Sequence, residues 1–150
     1  IAFDDNPTVL KFTSFNGASF KLSDKTPLTT NNTSTTKLGV FTNSGNNWEG
    51  NYLDLLSPID LEKGNTIKLA LHSNQSLEVL LKLEKVGDEN SSIERSAFHS
   101  GNEWEELSFS FSSLKKYNRL VIFIDGPGTT SGDFYIDQIL QSNSKIQLKK

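Results

Sequence analysis

The stretch WEELSFSF at 104–111, continued by YNRLVIFID at 117–125, GPGTTSGD at 126–133 and FYIDQI at 134–139, decides the fold. In its first part Leu107, Phe109 and Phe111 occupy every second position, with Glu106, Ser108 and Ser110 between them. That period of two belongs to a half-buried strand. Residues 120–125 are nearly all apolar and β-branched, as a central strand requires, and the Pro and Gly residues of 126–132 then force a reversal before Phe134, Tyr135 and Ile136. Asp137 stands inside this apolar run and demands a partner.

Working outward, the same alternation recurs with turns between. Residues 1–4, 9–12 and 18–22 are short strand candidates around Asn6-Pro7 and Asn16-Gly17, residues 26–36 are a polar Thr/Asn/Ser loop, and 37–42 return to strand. In 48–56, Asn51, Leu53 and Leu55 share one face and Trp48, Gly50, Tyr52 and Asp54 the other, with Ser57-Pro58 as a break. Residues 66–72 turn Ile67, Leu69 and Leu71 inward; 77–86 do so with Val79, Leu81 and Leu83, leaving Leu80, Lys82 and Glu84 outside; 93–98 form a weaker strand. No segment keeps a helical period over three turns, and neither a repeat nor a second domain is read. About eight or nine strands, one per roughly 8–12 residues, predict an all-β, two-sheet antiparallel β-sandwich of the jelly-roll type.

Composition bounds the function. The chain has 150 residues, no Cys, a net charge of −3 and a pI near 5.4. It is one domain's length, without disulfides or thiolate metal sites, and it lacks the basic stripe of a nucleic-acid binder. The longest apolar run, 120–124, is far short of a membrane helix. Starting at Ile1 and lacking Met, the chain reads as an excised domain or mature fragment with a tethered neighbour.

A jelly-roll order brings the loops at 43–47, 73–76, 99–103 and 126–132 to one end, gathering Trp48, His72, His99, Trp104 and Asp125, with Asn46, Asn47, Asn74 and Asn102 nearby. One sheet then exposes Tyr52, Lys82 and Glu84. Aromatic planes among amides and charges suit a pyranose, whose C–H face stacks on Trp or Tyr while its hydroxyls take polar partners. Trp48 and Trp104 are the leading stacking candidates; the alternative is that they cover the ends of the core. A glycosidase is disfavoured, because Glu105 and Glu106 point to opposite faces of a strand and no paired carboxylates are evident. His72 and His99, too few for a zinc site, read as solvated imidazoles. A structural or protein-binding sandwich is the other alternative, and the Asn-x-Ser/Thr sequons at Asn31, Asn32, Asn74 and Asn90 match by chance in such polar loops.

In order along the chain, Asn32-Thr33-Ser34, Lys37-Leu38-Gly39, Ser44-Gly45, Trp48-Glu49-Gly50, Ser57-Pro58-Ile59-Asp60, Leu80-Leu81-Lys82-Leu83-Glu84, Trp104-Glu105-Glu106-Leu107 and Phe134-Tyr135-Ile136-Asp137 resemble the β-sandwich carbohydrate-binding modules of secreted bacterial glycoside hydrolases and surface glycan-binding proteins, of the family four and family twenty-two types. The resemblance covers about residues 1–139. It implies a non-catalytic, secreted or surface-displayed, monomeric module that binds a polysaccharide, most readily a neutral β-1,3- or mixed-linkage glucan. The binding set would then be Trp48, Tyr52, His72, Lys82, Glu84, His99 and Trp104. It also implies a structural Ca²⁺ held by Asp4, Asp137 and backbone carbonyls near Lys37, a hard-cation oxygen set; otherwise Asp137 accepts backbone N–H groups at a sheet end. Thr29-Thr30 and Gln138 depart from the pattern of these relatives.

Overall fold

The computed structural model describes residues 11–23 and 37–142. The strand expected at 1–4, the polar loop at 26–36, the sequons at Asn31 and Asn32, and Asp4 lie outside them. The described residues form ten strands and no helix: β1 Thr13–Phe15, β2 Ser19–Ser23, β3 Leu38–Ser44, β4 Gly50–Asp60, β5 Thr66–Ser73, β6 Leu77–Lys85, β7 Asp88–His99, β8 Glu103–Ser110, β9 Lys116–Ile124 and β10 Ser131–Ser142. They make two five-stranded sheets in the orders β1-β4-β9-β6-β7 and β2-β3-β10-β5-β8. Every pairing is antiparallel. The predicted jelly-roll sandwich is the fold observed.

The core is the set of inward positions that the alternation marks. From the first sheet come Leu53, Leu120, Ile122, Ile124, Val79, Leu81 and Leu83, and from the second Phe41, Phe134, Ile136, Leu69, Leu71, Leu107 and Phe109, all buried in one cluster. Phe12, just before β1, closes an edge of it by packing on Phe41 with centroids 5.0 Å apart. A period of two therefore converts directly into burial on one face of each sheet.

Several boundaries differ from the sequence reading. Of the strand candidate at 9–12, the described residues 11 and 12 precede the first strand, β1 at Thr13–Phe15. Ser57-Pro58 does not end β4, which pairs with β9 on both sides of an irregularity between Asp54 and Ile59; Pro58 lies within that bulge, where no ladder hydrogen bond is asked of it. Strand β7 starts at Asp88, well before residue 93. Its early part is polar because β7 is an edge strand, so hydrophobic alternation does not announce it.

The four loops β3–β4, β5–β6, β7–β8 and β9–β10 meet at one end as expected. Gln75 Nε2 donates to Ser131 O at 3.1 Å, Asn47 Nδ2 to Pro127 O at 2.8 Å, and Asn43 Nδ2 to Ile124 O at 2.9 Å. A Cβ at Gly101 would stand 3.0 Å from Ser76 N.

Candidate functional site: an aromatic floor on the first sheet

On the outer face of the first sheet, register aligns Phe15 with Gly50, Gly50 with Phe123, Phe123 with Leu80, and Leu80 with Ser96. The next row is Thr13, Tyr52, Val121, Lys82 and Glu94, and a third holds Asp54, Arg119 and Glu84. Phe15 stands edge-on to Phe123 at 5.6 Å and lies 6.3 Å from Tyr52. Glycine at 50 makes this possible, since a Cβ there would sit 2.5 Å from Phe15 Cζ and 3.1 Å from Phe123. The two rings close over bare backbone.

Trp48 extends this floor from the loop end. Its ring is 46% exposed and meets Phe123 edge-on at 5.4 Å. Its φ of 55° lies in the left-handed region, which a bulky side chain rarely adopts. Three neighbours hold it there: Trp48 N donates to Gly126 O, Asn16 Nδ2 donates to Trp48 O at 2.8 Å, and the indole lies on Gly126, where a Cβ would approach its Cζ3 to 2.7 Å. On the far side Phe98, opposite Glu78, is 64% exposed.

The charges beside the floor are paired. Arg119 binds Asp54 through two hydrogen bonds of 2.6 and 3.2 Å and lies 3.9 Å from Glu84, with its guanidinium carbon 4.1 Å from the centre of the Tyr52 ring. The Asp54 hydrogen bond raises the Arg119 pKa further above its ordinary value. Lys82 pairs with Glu84 at 3.1 Å. Both cations on this face are thus spoken for by carboxylates, while Glu78 and Glu94 add negative charge.

Trp104, His72 and His99 do not join this face, although the ends of β5, β7 and β8 that carry them border the loops of the same end. Trp104 and His72 are partners across β8 and β5 of the second sheet, and Tyr135 pairs with His72 from β10. The His72 ring stands edge-on to Trp104 at 5.4 Å and to Tyr135 at 5.9 Å. Both histidines are buried rather than solvated, at 3% and 0% exposure, so neither is placed to meet a ligand from solvent. Gly101 N donates to His99 Nδ1 at 3.0 Å, which assigns the ring proton to Nε2 and its 2.9 Å bond to Leu71 O.

Neither His72 ring nitrogen nor Trp104 Nε1 has a hydrogen-bond partner. Burial lowers the His72 pKa from 6.5, with His99 acting in the same direction and Glu103 opposing. The folded state therefore takes up this proton less readily than the unfolded chain. Its contribution to stability is intact above about pH 6.5 and is lost as pH falls through and below that value. We expect the melting temperature to decline on acidification below pH 6.5 and His72→Phe to flatten that decline; an identical pH profile in the variant would discount His72.

Strand alternation turned Leu80, Lys82 and Glu84 outward and put Trp48 and Tyr52 on one side of their strand, with Trp48 assigned to the loop end; the structure brings all five to one outer face. Phe15, Phe123, Phe98 and Arg119 were missed. Phe123 sits in a run with no visible alternation, and Phe15 belongs to a strand of three residues. The absence of a repeat also needs correction: SGNNWE at 44–49 and SGNEWE at 100–105 share the pattern SGNxWE, differing only at the fourth position.

No family profile matches the chain, and no curated protein sequence does. Its fold is that of the jelly-roll β-sandwich carbohydrate-binding modules. The chain is similar to a family 11 module from Clostridium thermocellum solved with a β-1,3-1,4-mixed-linked tetrasaccharide (TM-score 0.63, 14% identity, 90% of each chain). It is also similar to the CBM6-3 module of Clostridium stercorarium in complex with cellobiose (TM-score 0.58, 12% identity, 96% of this chain and 92% of that one). A third is the CBM22-1 xylan-binding domain of Paenibacillus barcinonensis Xyn10C (TM-score 0.59, 10% identity, 85% and 82%). The α-L-arabinofuranosidase MgGH51 matches over 89% of this chain, which spans only 23% of that enzyme (TM-score 0.65, 10% identity).

Proposed function

We propose that this chain is a non-catalytic carbohydrate-binding module whose outer first-sheet face holds a neutral polysaccharide, a β-1,3- or mixed-linkage glucan. The observation that carries this reading is the floor of Phe15, Tyr52, Phe123 and half-exposed Trp48 bordered by polar side chains. Ring faces take the C–H face of a pyranose, and Asp54, Glu84 and Lys82 offer hydroxyl partners. Neutral glycans are favoured because Lys82 and Arg119 are already paired and the unpaired charges are acidic. The mixed-linked tetrasaccharide bound by the family 11 module supports the glucan assignment. The setting is a secreted or bacterial-surface protein, with the module monomeric and tethered to a neighbouring domain that gains avidity along a repeating chain.

Isothermal titration against laminarin, barley mixed-linkage glucan, xylan, mannan, alginate and a sulfated galactan tests this. The expected result is binding to one or both glucans without release of reducing ends. Silence across the panel would favour a structural or protein-binding sandwich, and release of reducing ends an enzyme.

A structural Ca²⁺ forms the second part of the proposal. Asp137 is 3% exposed, and it follows Ile136, which pairs with Gly39 two residues after Lys37. The β10 register shifts between Ile136 and Ile139, opening the ladder at Asp137. A buried acid beside irregular backbone carbonyls is the kind of oxygen set Ca²⁺ takes. Among the described residues no group of three or more acids and histidines completes a cage, so the carbonyls and Asp4 would supply the rest. Thorough chelation is expected to lower the melting temperature and added Ca²⁺ to restore it, by about 2.7 kcal/mol at a hundredfold excess over Kd. No shift in either direction would end this part of the proposal.

A further inference from the structure

In both copies of the SGNxWE pattern the final glutamate folds back onto its own turn. In the first copy Glu49 is 1% exposed and its carboxylate accepts four hydrogen bonds. Oε1 takes Ser44 N at 2.7 Å and Ser44 Oγ at 2.8 Å, and Oε2 takes Gly45 N at 2.8 Å and Asn46 N at 2.7 Å. Burial pushes this carboxyl up, but the Ser44, Asn46 and Gly45 donors prevail and hold it below its ordinary value. Every partner is a donor at these contacts, so the site asks for an acceptor-only group.

The cage is joined to the Trp48 backbone from the other side. Asn46 Nδ2 donates to Asn16 O at 3.1 Å, and Asn16 Nδ2 in turn donates to Trp48 O at 2.8 Å. Gly17, with φ of 105°, leaves room for this union, since a Cβ there would lie 2.5 Å from Asn46 Nδ2 and 3.2 Å from Glu49 Oε1. Fixing residues 44–46 thus fixes the turn that pins the Trp48 carbonyl.

The second copy is built alike but looser. Glu105 accepts Ser100 N at 3.1 Å, Ser100 Oγ and Asn102 N at 3.3 Å, and its side chain is 24% exposed. Here the left-handed residue is Glu103, φ 62°, so Trp104 stays within β8. In the first copy Trp48 itself is left-handed and stands before β4 begins. One cage lifts its tryptophan out of the ladder, while the other leaves it in the second sheet.

We propose that Glu49 is a positioning residue for glycan recognition, holding Trp48 on the aromatic floor without touching sugar itself. This rests on the reading of that floor as the glycan site. Trp104→Phe provides the background, because the chain has two tryptophans and the indole N–H of Trp104 has no partner to lose. Emission then reports Trp48 alone. In that background E49Q sets an amide donor against backbone N–H donors.

It is expected to raise acrylamide quenching of ligand-free Trp48 at least twofold and to weaken binding of the glucan the parent binds by about tenfold. Both are read well below the melting temperature. E105Q, which opens the other cage, is expected to change neither, so a general loss of stability does not imitate the result. A folded E49Q with parental quenching and affinity overturns the proposal, as does an E105Q that weakens binding equally. Should E49Q fail to fold, S44A removes one of the four donors; raised quenching supports the cage and unchanged quenching overturns it. If the parent binds no glycan, the floor reading fails, while quenching of Trp48 still decides whether Glu49 positions it.

Discussion

Replacing Trp48 by alanine is expected to weaken glucan binding by about 1–3 kcal/mol, the usual loss when a stacking ring is removed. That is roughly five- to 150-fold in Kd. Trp48 is 46% exposed, so nearly half of its surface is open to a ligand, and the buried remainder lies on Gly126 and against one edge-on phenylalanine. Its removal should therefore be felt in binding as well as in folding. The pairing of those two numbers is the informative part: titration against the bound glucan gives the first, and urea unfolding the second. A folded W48A with unchanged affinity would remove Trp48 from the site.

Phe41→Ala is expected to cost folding alone. Phe41 is fully buried, packs on Phe12 at 5.0 Å and Phe20 at 5.6 Å, and pairs with Phe20 on β2 and Phe134 on β10. Its removal leaves a cavity where three strands of the second sheet meet. Large-to-small aromatic changes in a core cost about 3–5 kcal/mol, a large share of the ~5–15 kcal/mol that stabilises a domain. The urea midpoint should fall steeply with the slope unchanged. A loss under about 1 kcal/mol would mean that the surrounding rings collapse into the space. Glucan affinity, measured where F41A is still folded, should stay near the parental value, because the site lies on the other sheet.

The fold was legible because alternation of period two survives in most strands, so inward sets such as Val79, Leu81 and Leu83 follow from the sequence. The jelly-roll connection followed from strand spacing and turn chemistry. Alternation failed where both faces are apolar. In β9 Val121, Ile122, Phe123 and Ile124 give no hint that Phe123 looks outward to the site while Ile122 and Ile124 look in. It failed also in β7, whose edge position leaves polar residues on both faces.

The site was half legible for a related reason. Tyr52, Lys82 and Glu84 follow from strand parity, but Trp48 lies beyond the end of β4 and is aimed by loop geometry. The histidines were misread because composition marks an imidazole as polar, whereas ring packing against Trp104 and Tyr135, or a backbone carbonyl and a loop amide, buries it. Glu49 entered the sequence reading only within Trp48-Glu49-Gly50, with no role of its own. The clue was present in the second SGNxWE, since a carboxylate three residues beyond a Gly-Asn turn can fold back on the turn's amides.

Strand β1 is three residues long and borders the sheet, yet it supplies Phe15 to the floor beneath the proposed ligand. Among the described residues the ladder to β4, the hydrogen bond from Ser14 Oγ to Asn51 Oδ1 and the contacts of one ring with Tyr52 and Phe123 secure it on that face. Such margins open at a fraction of the free energy of global unfolding. The proposed recognition surface thus joins a firm centre, β4 and β9, to a border whose docking is itself an equilibrium. A sugar chain lying across both would draw that equilibrium closed, so part of its affinity would be spent completing the surface to which it binds.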